Sequence, residues 1–106
     1  SNTSKMLFSV CDIAKIEPDE SMTDAYHFFT HCLFSPYGNR FLFLHRWYIK
    51  GKRTFSRMIT SDLEGENIHI LPTNGMVSHL SWMKNDEVLA YCNTKPYGDG
   101  YFIFND

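Results

Sequence analysis

The sequence predicts an all-β protein made of antiparallel strands, and three observations lead to this fold class. Aromatic residues make up 16% of the 106 residues, and aromatic side chains favour strands. Short apolar runs alternate with turns rich in Pro, Gly, Asn and Asp. Helical signals are poor, and the acidic stretch at residues 17–25 is better explained as a polar loop.

The middle of the chain contains four predicted strands in succession. They lie at residues 28–34, 41–44, 55–60 and 68–71. The first two flank a turn that contains Pro36 and Gly38, so they form a hairpin. The fourth strand alternates polar and apolar residues and stops at Pro72. Four strands joined in sequence by short connections make an antiparallel meander.

The pattern then restarts in the C-terminal third of the chain. HLSW begins at residue 79, which is 48 residues after the start of HCLF at residue 31. Three further segments match the meander: residues 88–91 repeat 41–44, residues 102–106 repeat 58–62, and residues 7–12 are predicted as another third strand that ends in Asp. The sequence therefore contains an internal repeat.

A repeat of roughly 40–50 residues with four strands per unit is typical of β-propeller blades. We expect residues 1–26 to hold the end of a preceding blade plus a polar loop. Residues 27–73 then form a complete four-stranded blade, and residues 74–106 form three strands of the following one. Because a propeller closes with roughly 4–8 blades, we expect the remaining blades to come from a parent chain or from a homo-oligomer.

Two motifs resemble the TolB-type propeller repeat. FSPYG at residues 34–38, followed by a buried strand, is similar to the FSPDG turn of that family. DLEGENI at residues 62–68, with Leu71, resembles the segment that closes such a repeat. Tyr37 stands where the family usually has Asp, while Gly38 is kept to bend the chain. The resemblance implies a bacterial-type propeller and leaves the function open.

Three segments look similar to the oligogalacturonate-lyase-like branch of these propellers. They are the surroundings of His31, FLHRW at residues 43–47, and GMVSHLSW at residues 75–82. This narrower resemblance implies that histidines near the central channel hold a divalent metal and that the substrate is an acidic sugar chain. The implied activity is that of a metal-assisted polysaccharide lyase in the full-length protein.

The candidate metal ligands are His31, His79 and His27. His31 and His79 occupy equivalent places at the start of the predicted innermost strands, which line the channel. His27 lies four residues before His31, in the loop that enters the same strand. Neutral imidazoles suit Mn, Zn or Fe, and such a site needs further ligands from other blades. The alternative is that each histidine bonds to neighbouring backbone and packs the channel rim.

The candidate substrate-binding residues are Arg46 and Trp47, at the end of the second strand. A guanidinium binds a carboxylate through two hydrogen bonds, as a uronate requires, and an indole stacks on the apolar face of a sugar. The alternatives are an Arg46 paired with a nearby acid and a Trp47 packed between blades. The sequence identifies no catalytic residue.

Two functions follow, an acidic-carbohydrate lyase and a non-catalytic scaffold that binds a glycan, peptide or protein. The net charge of −2 argues against nucleic acid as a partner. No apolar run approaches the roughly 20 residues of a membrane helix, so we expect no membrane partner. Three cysteines without regular spacing favour buried thiols in a reducing compartment. We therefore expect a cytoplasmic protein, unless a leader has been removed.

Overall fold

The computed structural model describes residues 2–106 as two antiparallel sheets preceded by a short helical segment. The elements in chain order are α1 (Val10–Ala14), a 3₁₀ turn (Glu20–Met22), β1 (Tyr26–Phe34), β2 (Arg40–Tyr48), β3 (Phe55–Asp62), β4 (His69–Ile70), β5 (Val77–Lys84), β6 (Glu87–Thr94) and β7 (Gly98–Asn105). The first sheet has the order β1-β2-β3-β4 and the second sheet β5-β6-β7. This architecture confirms the predicted all-β class and the four-stranded meander.

The predicted strand at residues 7–12 is wrong, because a helix begins there. The Ser9 hydroxyl accepts a hydrogen bond from the Asp12 amide, and the Asp12 carboxylate accepts one from the Ser9 amide, both at 3.0 Å. This reciprocal capping box favours a helix start over an extended chain. The resulting helix α1 places Ile13, which is fully buried, against the first sheet.

Next to their hairpin turns, the first two strands of each sheet repeat with the register that the sequence predicts. Phe34 lies opposite Phe41 in the first sheet, and Trp82 lies opposite Val88 in the second. The Trp82 indole also donates a hydrogen bond of 2.8 Å to the carbonyl of Leu33. The internal repeat is therefore structural as well as sequential.

The predicted match of the third strands is wrong by one residue. Met58 lies opposite Leu44, and the corresponding rung of the second sheet joins Tyr101 to Tyr91. Tyr101, and not Phe102, therefore takes the place of Met58. Consecutive apolar residues in β7 conceal the shift, because a strand without polar–apolar alternation does not show its register in the sequence.

The first sheet is the central layer of the molecule, with a hydrophobic core on each face. Between the two sheets lies a buried cluster of nine residues: Leu42, Leu44, Met58, Leu71, Val77, Val88, Ala90, Cys92 and Phe104. On the other face, Ile13 packs against Phe43 and Ile59, with Phe8 and Ile16 at its edge. Residues 7–22, here called the N-terminal segment, thus cover the face that the second sheet leaves free.

The three cysteines differ in their surroundings. Cys92 is buried in the core between the sheets, as expected, and burial raises the pKa of its thiol. The expectation of burial is wrong for Cys11 and Cys32, which are exposed. Cys11 lies on α1, where a strand was predicted, and Cys32 lies within the bulge of the edge strand β1.

Candidate functional site

A buried arginine fastens the N-terminal segment to the first sheet. Arg57, on β3, is 6% exposed. Its guanidinium donates hydrogen bonds to the carbonyls of Glu17 at 2.9 Å, Ile13 at 3.1 Å and Ile16 at 2.8 Å. Its Nε donates to Nδ1 of His45 at 3.0 Å. Arg57 therefore binds three carbonyls at and just beyond the C-terminal end of α1.

The same arginine fixes the tautomers of two histidines. Because Arg57 only donates, Nδ1 of His45 is an acceptor and its Nε2 carries the hydrogen. That Nε2 lies 2.9 Å from Nδ1 of His27, and Nε2 of His27 lies 3.2 Å from the carbonyl of Met22. The bonds thus run in one direction, from Arg57 through His45 and His27 to Met22. Both imidazoles are neutral in this arrangement.

Burial controls the charge of this network. His45 is fully shielded from solvent, and burial, together with the positive charge of Arg57, lowers the pKa of His45 to about 3. Burial also lowers the pKa of Arg57, while Glu17 and Asp19 oppose that shift. The arrangement therefore requires a neutral His45 beside a cationic Arg57.

The structure gives His27 a different setting from the predicted channel mouth. Its two ring nitrogens face His45 and the Met22 carbonyl, so a metal would have to displace one of these contacts. These contacts favour the alternative, a structural role in which the histidine bonds to neighbouring backbone and packs against other side chains. Its role as a metal ligand stays a prediction.

Trp47 lies in the wall between the first sheet and the N-terminal segment. It is 3% exposed, and its indole donates a hydrogen bond of 2.9 Å to the hydroxyl of Ser21. Its ring stacks on Phe55 with centroids 5.9 Å apart, and Arg57 lies 6.0 Å from the ring centroid. These contacts correspond to the packing role rather than to an open sugar-stacking platform.

Arg46 lies on the opposite face of the first sheet from Trp47, because successive strand residues alternate. Its guanidinium lies 5.6 Å from the Phe28 ring centroid. Phe28 is flanked by Tyr26 and Tyr48, with ring centroids 5.9 and 6.0 Å away. Tyr26 is 63% exposed. These four residues form a partly open surface, the aromatic–arginine patch.

The electrostatic setting of Arg46 differs from the predicted alternative of a structural ion pair. Among residues 2–106, no Asp or Glu lies within ion-pair distance of it. Its Nε is shielded from solvent and has no hydrogen-bond partner in that part of the chain. A half-buried guanidinium with unused donors, held against aromatic rings, is suited to receive a carboxylate.

His31 and His79 are both exposed, but the structure brings neither into a metal site. His31 lies in the second half of β1, with a positive φ of 64°, within a bulge. Its Nδ1 is 3.0 Å from the hydroxyl of Thr30. His79 is the third residue of β5 and shares a rung with Tyr91, the counterpart of Leu44. Because Leu44 pairs with Thr30 and the bulge leaves His31 between rungs, the predicted equivalence of His31 and His79 is wrong. Within residues 2–106, no three His, Cys, Asp or Glu side chains are grouped as metal ligands.

A cleft of about 370 Å³ lies beside the N-terminal segment. Asp19 contributes an acidic wall, and Arg53 and Lys95 contribute cations. Hydrogen bonds from Ser21 lower the pKa of Asp19. The guanidinium of Arg53 lies 4.3 Å from the centroid of Phe55, so the cleft carries both signs of charge along an aromatic wall.

A polar cluster that the sequence analysis missed joins the two sheets at Asp106. This carboxylate accepts hydrogen bonds from Arg40 at 2.6 Å and from the hydroxyl of Thr60, and His69 lies 2.9 Å away. Burial by itself raises the pKa of Asp106, but hydrogen bonds from Thr60, Arg40 and His69 outweigh burial and hold it below the ordinary value. Because 66 residues separate Arg40 from Asp106, no local sequence pattern predicts that they form an ion pair.

Comparisons with known protein families, with curated proteins and with solved structures found no match. Within residues 2–106, the helices are all too short or too polar to cross a membrane. Inferences about function therefore rest on the contacts described above.

Proposed function

We propose that this chain is a β-propeller-type repeat module of the TolB kind that binds acidic carbohydrate without turnover. The binding surface is the aromatic–arginine patch of Tyr26, Phe28, Arg46 and Tyr48. The observation that carries the proposal is the unpaired, half-buried guanidinium of Arg46 against the Phe28 ring.

The propeller-type repeat is supported by the way in which the two sheets stack. Leu42 and Leu44 point from the first sheet into the core between the sheets. Val88 and Ala90 point from the second sheet into the same core, and they occupy the repeat positions of Phe41 and Phe43. The Phe41/Phe43 face of the first sheet packs on the N-terminal segment, and the equivalent face of the second sheet packs on the first sheet. The sheets thus stack with equivalent faces pointing in the same direction, as blades of a propeller do.

The chemistry of the patch suits a uronate. The carboxylate of the sugar accepts hydrogen bonds from the fork of Arg46, which is already oriented by its contact with Phe28. The apolar face of the sugar ring packs on the Tyr26 ring, which is 63% exposed. Charge then selects acidic over neutral sugars, and the aromatic rings supply contact area.

A non-catalytic role is better supported than the lyase predicted from the resemblance. Lyase chemistry with a metal needs several ligands near the substrate carboxylate. The described part of the chain groups no such ligands, and His27 is engaged on both nitrogens. Metal-assisted cleavage with Mn, Zn or Fe on His31 and His79 stays a prediction for an assembly that adds further ligands.

The test is titration of the chain with oligogalacturonate and, separately, with its methyl-esterified form, by calorimetry. We expect binding of the acidic form and loss of binding on esterification. Arg46→Gln removes hydrogen bonds from a charged donor, worth about 1.5–3 kcal/mol, so it should weaken binding roughly 10- to 100-fold. Arg53→Gln is the matched control, because Arg53 also stacks on a ring, that of Phe55, but lies outside the patch.

Two results would count against the proposal. One is equal binding of the acidic and esterified sugars, and the other is an equal loss of affinity in Arg46→Gln and Arg53→Gln. Ultraviolet absorbance from an unsaturated uronate, abolished by a chelator, would instead favour the lyase.

A further inference from the structure

The outer face of the second sheet is apolar and open. Tyr101 is 69% exposed and Ile103 is 57% exposed. They share rungs with Tyr91 and Leu89, whose side chains therefore point to the same face. Exposed apolar surface arranged in this way marks a contact surface for another protein.

The internal repeat shows what kind of surface fits this face. The rung Leu89–Ile103 takes the same position as Leu42–Thr60 in the first sheet, and the rung Tyr91–Tyr101 takes that of Leu44–Met58. In the first sheet these four positions are at most 2% exposed. Three of them, Leu42, Leu44 and Met58, pack in the core against the inner face of the second sheet.

The chain also carries the complementary surface, on the outer face of the first sheet. There the rungs Phe41–Ser61 and Phe43–Ile59 take the positions that Val88–Phe104 and Ala90–Phe102 have on the inner face of the second sheet. The two outer faces are thus equivalent, position by position, to the two inner faces that pack together in the core between the sheets.

The N-terminal segment occupies this complementary surface. Ile13 is fully buried on it, and Phe8 stacks on Phe43 with centroids 5.4 Å apart. The segment contributes one five-residue helix and one 3₁₀ turn. It is fixed partly through polar contacts, from Arg57 to the Ile16 carbonyl and from His27 to the Met22 carbonyl.

We propose that the N-terminal segment is a removable cover that blocks self-association of this chain. When the cover is displaced, a second copy docks the outer face of its second sheet on the uncovered outer face of the first sheet. The contact is heterologous, because the two copies use different faces. Its repetition therefore produces rings or open stacks rather than closed two-fold dimers.

The experiment is sedimentation velocity of the full chain over a range of concentrations. Ile13→Asp places a charge under the cover, and we expect it to convert a monomer into concentration-dependent oligomers. Adding Ile103→Lys on the other face should restore the monomer. Adding Tyr37→Lys instead, at a hairpin tip that is 83% exposed, should leave the oligomers intact. Phe8→Ser loosens the rim of the cover and decides the question if Ile13→Asp does not fold.

The proposal is overturned if the folded single variant stays monomeric at every concentration. It is also overturned if Ile103→Lys and Tyr37→Lys affect association equally. A wild-type chain that already forms stacks while the amides of α1 stay protected from hydrogen exchange would show that no cover has to leave.

Discussion

Acidification should destabilise this protein through His45 before its carboxylates are protonated. The folded state keeps His45 neutral, with a pKa lowered from 6.5 to about 3 by burial and by the positive charge of Arg57. In the unfolded chain the same imidazole titrates near its ordinary value. The folded state thus binds fewer protons, so its stability is complete above about pH 6.5 and falls as the pH decreases toward the folded pKa.

The size of this loss follows from the two pKa values. At about pH 5 the unfolded imidazole is almost fully protonated and the folded one is not, which corresponds to about 2 kcal/mol. This figure depends on the unfolded pKa alone, because pH 5 lies well above the folded value of about 3. Such a loss is a large part of the roughly 5–15 kcal/mol that stabilises a typical domain.

The assay is urea unfolding of the wild type and of His45→Gln at about pH 7.5 and about pH 5. The variant cannot titrate at this position. Whatever the substitution does to the hydrogen bond from Arg57 is the same at both values of pH, so it cancels when the two conditions are compared. The exposed His31 and His79 are common to both proteins and cancel as well. We expect the wild type to lose about 2 kcal/mol more than the variant between the two conditions.

Equal losses in the two proteins would refute the reasoning. A direct observation would refute it too: an NMR titration of the folded wild type in which the His45 ring takes up a proton between about pH 6 and 7. Either result would mean that solvent reaches the network or that Arg57 does not constrain the tautomer.

Two other substitutions test the remaining contacts. Asp106→Asn removes the negative charge that pairs with Arg40, and the Asp106 side chain is only 2% exposed. The substitution should lower the free energy of unfolding in urea by roughly 3 kcal/mol. An unchanged unfolding midpoint would contradict the stabilising role of the cluster. Gly65→Ala places a Cβ 2.7 Å from the Leu7 carbonyl oxygen, whereas Gly38→Ala has the same positive φ and open space. Each substitution should lower the free energy of unfolding by about 1 kcal/mol because of that φ. Only Gly65→Ala also pushes against Leu7, so only this variant should raise hydrogen exchange in α1; equal exchange in both variants would contradict the contact.

The strands of the first sheet were predictable because their signals are local. The apolar run at Phe41 is bounded by a turn with Pro36 and Gly38, and the repeat at Trp82 confirmed the second hairpin. The helix α1 was missed because residues 7–12 resemble a strand in composition. The capping box of Ser9 and Asp12 was present in the sequence and could have identified the helix.

The polar networks were beyond prediction because they depend on contacts distant in sequence. Arg57 donates hydrogen bonds to carbonyls about 40 residues earlier in the chain. No pattern in the sequence around Arg57 indicates that it contacts the end of α1. Arg46 and Trp47 are adjacent in the sequence and were predicted to bind one substrate together, but the alternation of strand residues places them on opposite faces of the sheet. A pair on one face of the same strand has to lie two residues apart.

The first sheet carries one buried and two partly buried arginines, and their partners distinguish structural from functional charge. Arg40 is paired with Asp106, and Arg57 donates to His45 and to three carbonyls. Arg46 differs, because within residues 2–106 its shielded Nε has no partner. Burying an unpaired guanidinium is costly. A carboxylate bound from outside the chain would supply the counter-charge that Asp106 supplies to Arg40, and this is why we place the ligand at Arg46.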